Sequence, residues 1–194
     1  MDRYPRGRLW LFAALTILTL GLDLGSKAVA FSKLGVFQRT GWLIDTAGIR
    51  FEFQTSLNRG ALWGLGQGYA LWFAGLSVLA FVGIVYWLFV RGAAQSAWLT
   101  VALGFVSGGT LGNLYDRVGM HGVAFPGEGR TALAVRDFLH FQFGSFDWAN
   151  FNLADSFLVT GAIMLMIHSF REDSQRANST VAESSTESSS AASA

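Results

Sequence analysis

Four long apolar segments constrain this chain more than any other feature of its sequence. They cover residues 9–31, 70–90, 97–115 and 149–170. Each is close to the roughly 20 residues that a helix needs to cross the hydrocarbon of a bilayer. We therefore predict an all-α membrane protein, built as a four-transmembrane-helix bundle. Glycines in the third segment predict that its neighbours pack closely against it.

The average composition hides these spans. The apolar content of 52% is near that of soluble proteins, because a Ser-, Thr- and Glu-rich segment at 171–194 dilutes it. We predict a membrane domain over 1–170, with outer loops at about 32–69 and 116–148, and a disordered Ser-rich cytoplasmic tail at 171–194. The net charge of +1 gives no indication of nucleic-acid binding. The absence of cysteine excludes disulfides, thiolate metal sites and cysteine nucleophiles.

Basic residues cluster in the short segments that four spans place on one side of the membrane. This side should be cytoplasmic, so we expect both termini to be cytoplasmic. The N-terminus also has features of a cleavable signal peptide, but Asp23 and Lys27 are unusual before a cleavage site and fit a continuous span better. The clustered residues are Arg3, Arg6, Arg8, Arg91, Arg171 and Arg176.

Two segments of the outer loops have strand-like patterns. Residues 49–55 alternate between apolar and polar side chains, and residues 135–143 do so imperfectly. We predict a small extracytoplasmic β element at the membrane surface, with aromatic side chains at the interface. Residues 125–130 between them favour a flexible loop.

The pattern Asn-Leu-x-Asp occurs twice, at the edges of two predicted spans. It runs from Asn113 to Asp116 and from Asn152 to Asp155. Residues three apart share one face of a helix, and both copies should emerge at the same membrane surface. Carboxylates near hydrocarbon are costly, so we predict that Asp116 and Asp155 share one proton and activate water for peptide hydrolysis. Alternatively, Asp155 caps its helix and Asp116 pairs with the adjacent arginine at the surface.

Other polar features leave alternatives open. Asp23 and Lys27 fit an ion pair or a role in shaping the site, and segment 58–66 fits a ligand-contacting glycine loop or an ordinary one. Ser26 and Lys27 are adjacent and do not face each other on a helix, which disfavours a Ser/Lys protease. No HExxH or GxSxG occurs, which disfavours a metalloprotease and a serine hydrolase. A proton-coupled transporter and a non-catalytic membrane assembly subunit remain alternatives.

Five ordered blocks, at 23–27, 58–64, 108–117, 135–138 and 151–156, resemble lipoprotein signal peptidase, the bacterial signal peptidase II family. The resemblance implies an aspartic endopeptidase of the inner membrane that needs no metal or cofactor. It implies removal of signal peptides from diacylglyceryl-modified prolipoproteins by cutting before the lipidated cysteine. It also implies contact with membrane lipid and inhibition by globomycin.

Within these blocks, Asp116 and Asp155 match the catalytic pair of the family. Two features depart from its pattern: Trp63 stands where Phe is usual, and segment 121–134 is longer than the usual link. The residues that match site-lining or site-supporting positions are Asp23, Lys27, Asn58, Gly60, Asn113, Arg117, Asp137, Asn152 and Ala154.

Overall fold

The computed structural model describes the backbone of residues 4–60 and 66–191, and side chains as far as residue 172. Within these ranges, four helices are long and apolar enough to cross a membrane. The four predicted spans are therefore confirmed, with ends that differ by a few residues. The spans are Gly7–Leu34, Ala70–Val90, Ala97–Arg117 and Leu153–Glu172.

The first three spans follow each other with one long and one short connection. Helix α1 is Gly7–Leu34 and helix α2 is Ala70–Val85, which continues as a π-helical turn over Tyr86–Val90. A short 3₁₀ turn then leads to α3, Ala97–Arg117. The Ser96 hydroxyl accepts a hydrogen bond from an N–H in the first turn of α3, which defines where that helix starts.

Helix α4, Leu153–Ala191, continues beyond its span into the segment predicted to be a tail. That this tail is disordered and separate from the folded chain stays a prediction. Because there are four spans, the start of the first and the end of the fourth lie at one end of the bundle. The two outer loops lie together at the other end.

Helix α3 is the central helix of the bundle and packs against α1, α2 and α4. Of its apolar window, 61% is buried, whereas the other three spans are at most 22% buried and present their side chains to lipid. A methyl group at Gly108 would overlap Thr19 of α1, and one at Gly161 of α4 would meet the Ala102 carbonyl oxygen. The close packing predicted from the glycines is therefore confirmed.

Both outer loops contribute to one antiparallel sheet. The strands are β1 (Ile44–Thr46), β2 (Ile49–Asn58), β3 (Val135–Phe143) and β4 (Phe146–Asp147), in that spatial order. The two predicted strands correspond to β2 and β3, so the small β element is confirmed. Strands β1 and β4 were not predicted, because two or three residues are too few to show alternation.

The two faces of β3 have different surroundings, because side chains alternate along a strand. Phe138 packs with Phe31 of α1 and Leu57 of β2 in a buried apolar cluster. The opposite face carries Asp137 and Phe141, which line a cavity. Arg136 and Asp137 are neighbours in sequence but point to opposite sides of the sheet. Arg136 therefore reaches Asp116, whereas Asp137 faces the cavity.

Candidate active site

The polar blocks of the sequence converge where the outer end of the bundle meets the sheet. Helix α1 contributes an ion pair and α3 an Asn and an Asp. Helix α4 contributes an Asp, the residue before α4 is an Asn, and the strands contribute Asn58 and Asp137. Hydrogen bonds or ion pairs join most of these side chains, and the others line the adjoining cavity. The predicted site residues found here are Asp23, Lys27, Asn58, Gly60, Asn113, Asp116, Arg117, Asp137, Asn152, Ala154 and Asp155.

Asp116 is fully buried and both of its oxygens are occupied by cationic partners. Its Oδ1 accepts hydrogen bonds from Arg136 Nε at 3.1 Å and Nη2 at 2.8 Å. Its Oδ2 accepts from the Arg136 backbone N–H at 3.0 Å and lies 3.1 Å from Lys27 Nζ. Charge-assisted contacts of this kind are strong and fix geometry. Asp116 is thus the centre of a buried ion cluster, and it is not among the described residues that line the cavity.

Lys27 joins this cluster to α1. Its Nζ donates to Asp23 Oδ2 at 2.7 Å and to Asn113 Oδ1 at 3.1 Å. Asp23 Oδ1 in turn accepts from the backbone N–H of Ala154 at 2.9 Å, in the first turn of α4. Both charged side chains are fully buried, and such groups need partners on every side. The ion-pair alternative for Asp23 and Lys27 is confirmed, and the same pair also ties α1 to α3 and α4.

Asp155 caps α4 and also faces the cavity. The Asn152 side-chain oxygen accepts from the Asp155 N–H at 3.1 Å, and Asp155 Oδ2 accepts from the Asn152 N–H at 3.2 Å. This reciprocal arrangement is a capping box. Asp155 Oδ1 accepts from Asn113 Nδ2 at 2.8 Å. The capping alternative is confirmed, yet capping does not remove Asp155 from chemistry, because the carboxylate lines the cavity and is only partly buried.

Asp137 is the second carboxyl group that lines the cavity. Its Oδ1 accepts from Asn152 Nδ2 at 2.6 Å, and its Oδ2 accepts from Asn58 Nδ2 at 3.2 Å. Burial, and next the negative charge of Asp155, raise the pKa of Asp137 to about 8. Asp137 is therefore protonated at neutral pH. Asn152 thus contacts both carboxyl groups, Asp137 through its side-chain amide and Asp155 through its backbone N–H.

The cavity has a volume of about 760 Å³ and joins a polar end to an apolar wall. Asp137 and Asp155 lie at the polar end together with Arg117, whose buried Nε has no hydrogen-bond partner among the described residues. The wall ends at Val159, which is exposed on the lipid-facing side of α4. The cavity therefore opens toward the membrane. The apolar wall consists of Phe141, Phe143, Trp148, Phe151, Leu158 and Val159.

The structure brings the predicted residues together, and it adds one that was not predicted. Arg136 was not predicted to take part, although its place beside Asp137 in an apolar strand is unusual for an arginine. Asp137 was predicted only as a supporting residue. Trp63, the predicted departure in the glycine loop, lies outside the described residues.

Comparison with known proteins identifies the family. The sequence profile of the family described as signal peptidase (SPase) II matches residues 15–171. The chain belongs to the signal peptidase II family. The resemblance predicted from the five sequence blocks is confirmed. Membership makes the chain a multi-pass membrane protease, which favours an enzyme over a transporter or an assembly subunit.

Individual relatives cover most of this signal peptidase II chain. A lipoprotein signal peptidase of Rhodopirellula baltica is 44% identical over 171 residues, which are 86% of this chain and 74% of that protein. One from Pseudomonas aeruginosa is 34% identical over 178 residues, covering 88% and 92% of the two chains. A bacterial membrane enzyme solved at 2.3 Å has the same fold, with a TM-score of 0.70, 22% identity and coverage of 89% and 93%.

Proposed function

We propose that this chain is an aspartic endopeptidase that removes signal peptides from diacylglyceryl-modified prolipoproteins, cutting before the lipidated cysteine. The names of the two relatives above support prolipoproteins as the substrate class. One observation carries the proposal: two carboxyl groups, Asp155 and an Asp137 whose pKa is raised to about 8, lie at the polar end of a cavity whose apolar wall reaches the membrane.

The catalytic pair that we propose is Asp137 and Asp155. The repeated Asn-Leu-x-Asp pattern predicts Asp116 in place of Asp137, but the geometry favours Asp137. Asp116 has Arg136 on one oxygen and Lys27 on the other, so its charge is neutralised and its lone pairs are occupied. Asp137 lines the cavity with Asp155 and keeps a proton at neutral pH. Two carboxyl groups that differ in this way can divide the acid and base roles.

The proposed reaction follows from this division. The Asp155 carboxylate takes a proton from a water molecule as the water oxygen attacks the scissile carbonyl carbon. Asp137 gives its proton to the carbonyl oxygen, which forms a neutral tetrahedral intermediate. When the C–N bond breaks, the proton on Asp155 passes to the leaving amine, and a hydroxyl of the intermediate returns a proton to Asp137. Both carboxyl groups end in their starting states.

The shape of the cavity accounts for a lipid-modified substrate. A diacylglyceryl chain holds the peptide at the membrane surface, where Leu158 and Val159 form the membrane side of the cavity wall. Anchoring raises the effective concentration of the scissile bond near the carboxyl pair. In this proposal the site lies on the outer side of the bacterial inner membrane, with both termini cytoplasmic.

The test is cleavage of a diacylglyceryl-modified prolipoprotein by the purified full chain, followed by gel shift. Asp137→Asn and Asp155→Asn are compared with wild type and with Asp45→Asn, which removes an exposed carboxylate from the same sheet. General acid–base catalysis contributes about 10²- to 10⁴-fold, so both cavity variants should lose at least that much. Wild type and Asp45→Asn should cleave equally, and globomycin should block both.

Two results would contradict the proposal at different levels. Turnover by folded Asp137→Asn within tenfold of wild type would show that Asp137 is not a member of the pair. Folded wild type that leaves several modified prolipoproteins intact would overturn the proposed substrate class. Thermal unfolding of each variant shows whether a loss of turnover comes from a loss of structure.

A further inference from the structure

A buried histidine lies between two carboxylates on the back of the sheet, away from the carboxyl pair. His140 Nδ1 is 3.1 Å from Glu52 Oε1 on β2, and its Nε2 is 2.7 Å from Asp147 Oδ1 on β4. Glu52 and His140 are buried, whereas the Asp147 side chain is 71% exposed. A neutral imidazole has one N–H and can donate to only one of these carboxylates. The imidazolium donates to both, so this geometry fits the protonated form.

Aromatic and charged groups from β1, β2 and the loop before β1 surround this contact. The Trp42 ring lies over the imidazole with 5.5 Å between ring centroids. The Arg50 guanidinium lies 5.7 Å from the centroid of Trp42, and its Nε bonds Asp45 at 3.0 Å. Trp42 therefore contacts both the imidazole and the guanidinium, and Arg50 is itself paired with Asp45. Covered hydrogen bonds are electrostatically stronger than those in water.

The Asp147 end of this contact is connected to the cavity on the other face. Asp147 ends β4, and the next residue is Trp148, whose backbone N–H donates to the Phe141 carbonyl oxygen at 3.0 Å. The Trp148 ring packs edge-on against Phe143 and forms part of the apolar cavity wall. A contact that fixes the position of Asp147 therefore also fixes the position of Trp148 in the cavity wall.

We propose that protonated His140 is a positioning residue for the protease reaction: it clamps β4 to β2 and β3 and so fixes Trp148 in the wall that receives the apolar part of the substrate. The inference rests on the proposed function. Without a charged donor at this position the ion pair with Asp147 is lost, and the exposed end of the contact is released. Trp148 then becomes less ordered, substrate binding weakens, and the carboxyl pair itself is not altered.

The test compares KM and kcat of wild type, His140→Arg and His140→Gln. Arginine carries a charge and can donate to both carboxylates, whereas neutral glutamine cannot form the ion pair with Asp147. We expect the KM of His140→Gln to be about fivefold above that of wild type, the most that an exposed ion pair usually contributes. His140→Arg should keep the KM of wild type. The kcat values of all three should be equal, and His168→Gln, a change on α4, should behave as wild type.

A second readout does not need activity. Hydrogen exchange of the Trp148 amide should be slow in wild type and in His140→Arg and faster in His140→Gln. Asp147→Asn, at an exposed position, should raise the KM as His140→Gln does. A KM of His140→Gln equal to that of wild type, or equal exchange in all variants, would overturn the clamp. If wild type cleaves no prolipoprotein, the proposed function fails, and the exchange data still decide the clamp.

Discussion

Replacing Asp116 by Asn should destabilise the protein more than it affects the chemistry. Asn has the same shape but no charge, so Arg136 loses its only carboxylate partner among the described residues, while Lys27 keeps Asp23 at 2.7 Å. Removing one member of a buried ion pair costs about 3–5 kcal/mol. Because one of the two cations remains paired, we expect the lower end, about 3 kcal/mol. For a chain of this size that lowers Tm by about 6–12 °C.

The assay is thermal unfolding of the purified protein by tryptophan fluorescence, with cleavage measured at a temperature where the variant is folded. The double variant Asp116→Asn/Arg136→Gln removes both charges and should recover part of the lost stability, since no unpaired cation is left. Turnover of folded Asp116→Asn should stay well above that of Asp137→Asn. A variant as stable as wild type but without turnover would refute the reasoning and return Asp116 to the catalytic pair.

Three further outcomes follow from the same contacts. Because the pKa of Asp137 rises from 3.8 in the unfolded chain to about 8, the folded protein holds a proton that the unfolded chain has released. Between these two pH values the free energy of unfolding of wild type, relative to Asp137→Asn, should therefore fall by about 1.4 kcal/mol per pH unit as pH rises. Unfolding at several pH values measures this difference. A difference that does not change with pH would contradict the raised pKa. Gly108→Ala should lower the free energy of unfolding by about 1–3 kcal/mol, because the added methyl group overlaps Thr19. Gly21→Ala is the control and should be tolerated, because there is open space around Gly21. Equal melting temperatures of the two variants would contradict the packing account. Asn152→Ala should lower kcat by about 10²-fold, because the side-chain amide that orients Asp137 and accepts from the Asp155 N–H is lost. An unchanged kcat would show that this amide is dispensable.

The membrane spans could be predicted because hydropathy and length are local properties. Lipid allows only a few backbone structures, so twenty apolar residues almost determine a helix. The close packing of neighbours against α3 could be predicted from its glycines, which are also a local property. Strands β1 and β4 could not be predicted, since their existence depends on pairing with β2 and β3 and not on their own two or three residues.

The site was harder to predict, because its assignments depend on contacts between residues far apart in sequence. The repeated Asn-Leu-x-Asp pattern made Asp116 and Asp155 look equivalent, and nothing local shows that Arg136 reaches Asp116 across 20 residues. One sequence signal did point to Asp137. It shares a strand face with Val135, Leu139 and Phe141, so an acid occupies a position where alternation predicts an apolar side chain. Such a residue is expected to be buried with a raised pKa.

The same reasoning applies to the histidine clamp. His140 is one of three scattered histidines in the sequence, and none of them belongs to a recognisable motif. Only the register of β2 against β3, which pairs Glu52 with His140, and the return of the chain through β4 bring the two carboxylates to one imidazole. Such a site is defined by strand pairing and cannot be read from spacing along the chain.

The most direct test of the central claim is the pH dependence of a single turnover by wild type with saturating prolipoprotein. If Asp137 donates the proton to the scissile carbonyl, the rate should be steady up to about pH 8, where Asp137 loses its proton. Above that value it should fall about tenfold per pH unit while the protein stays folded. A rate that stays constant well above pH 8 would contradict the account, because a carboxyl pair without its proton cannot act as the acid.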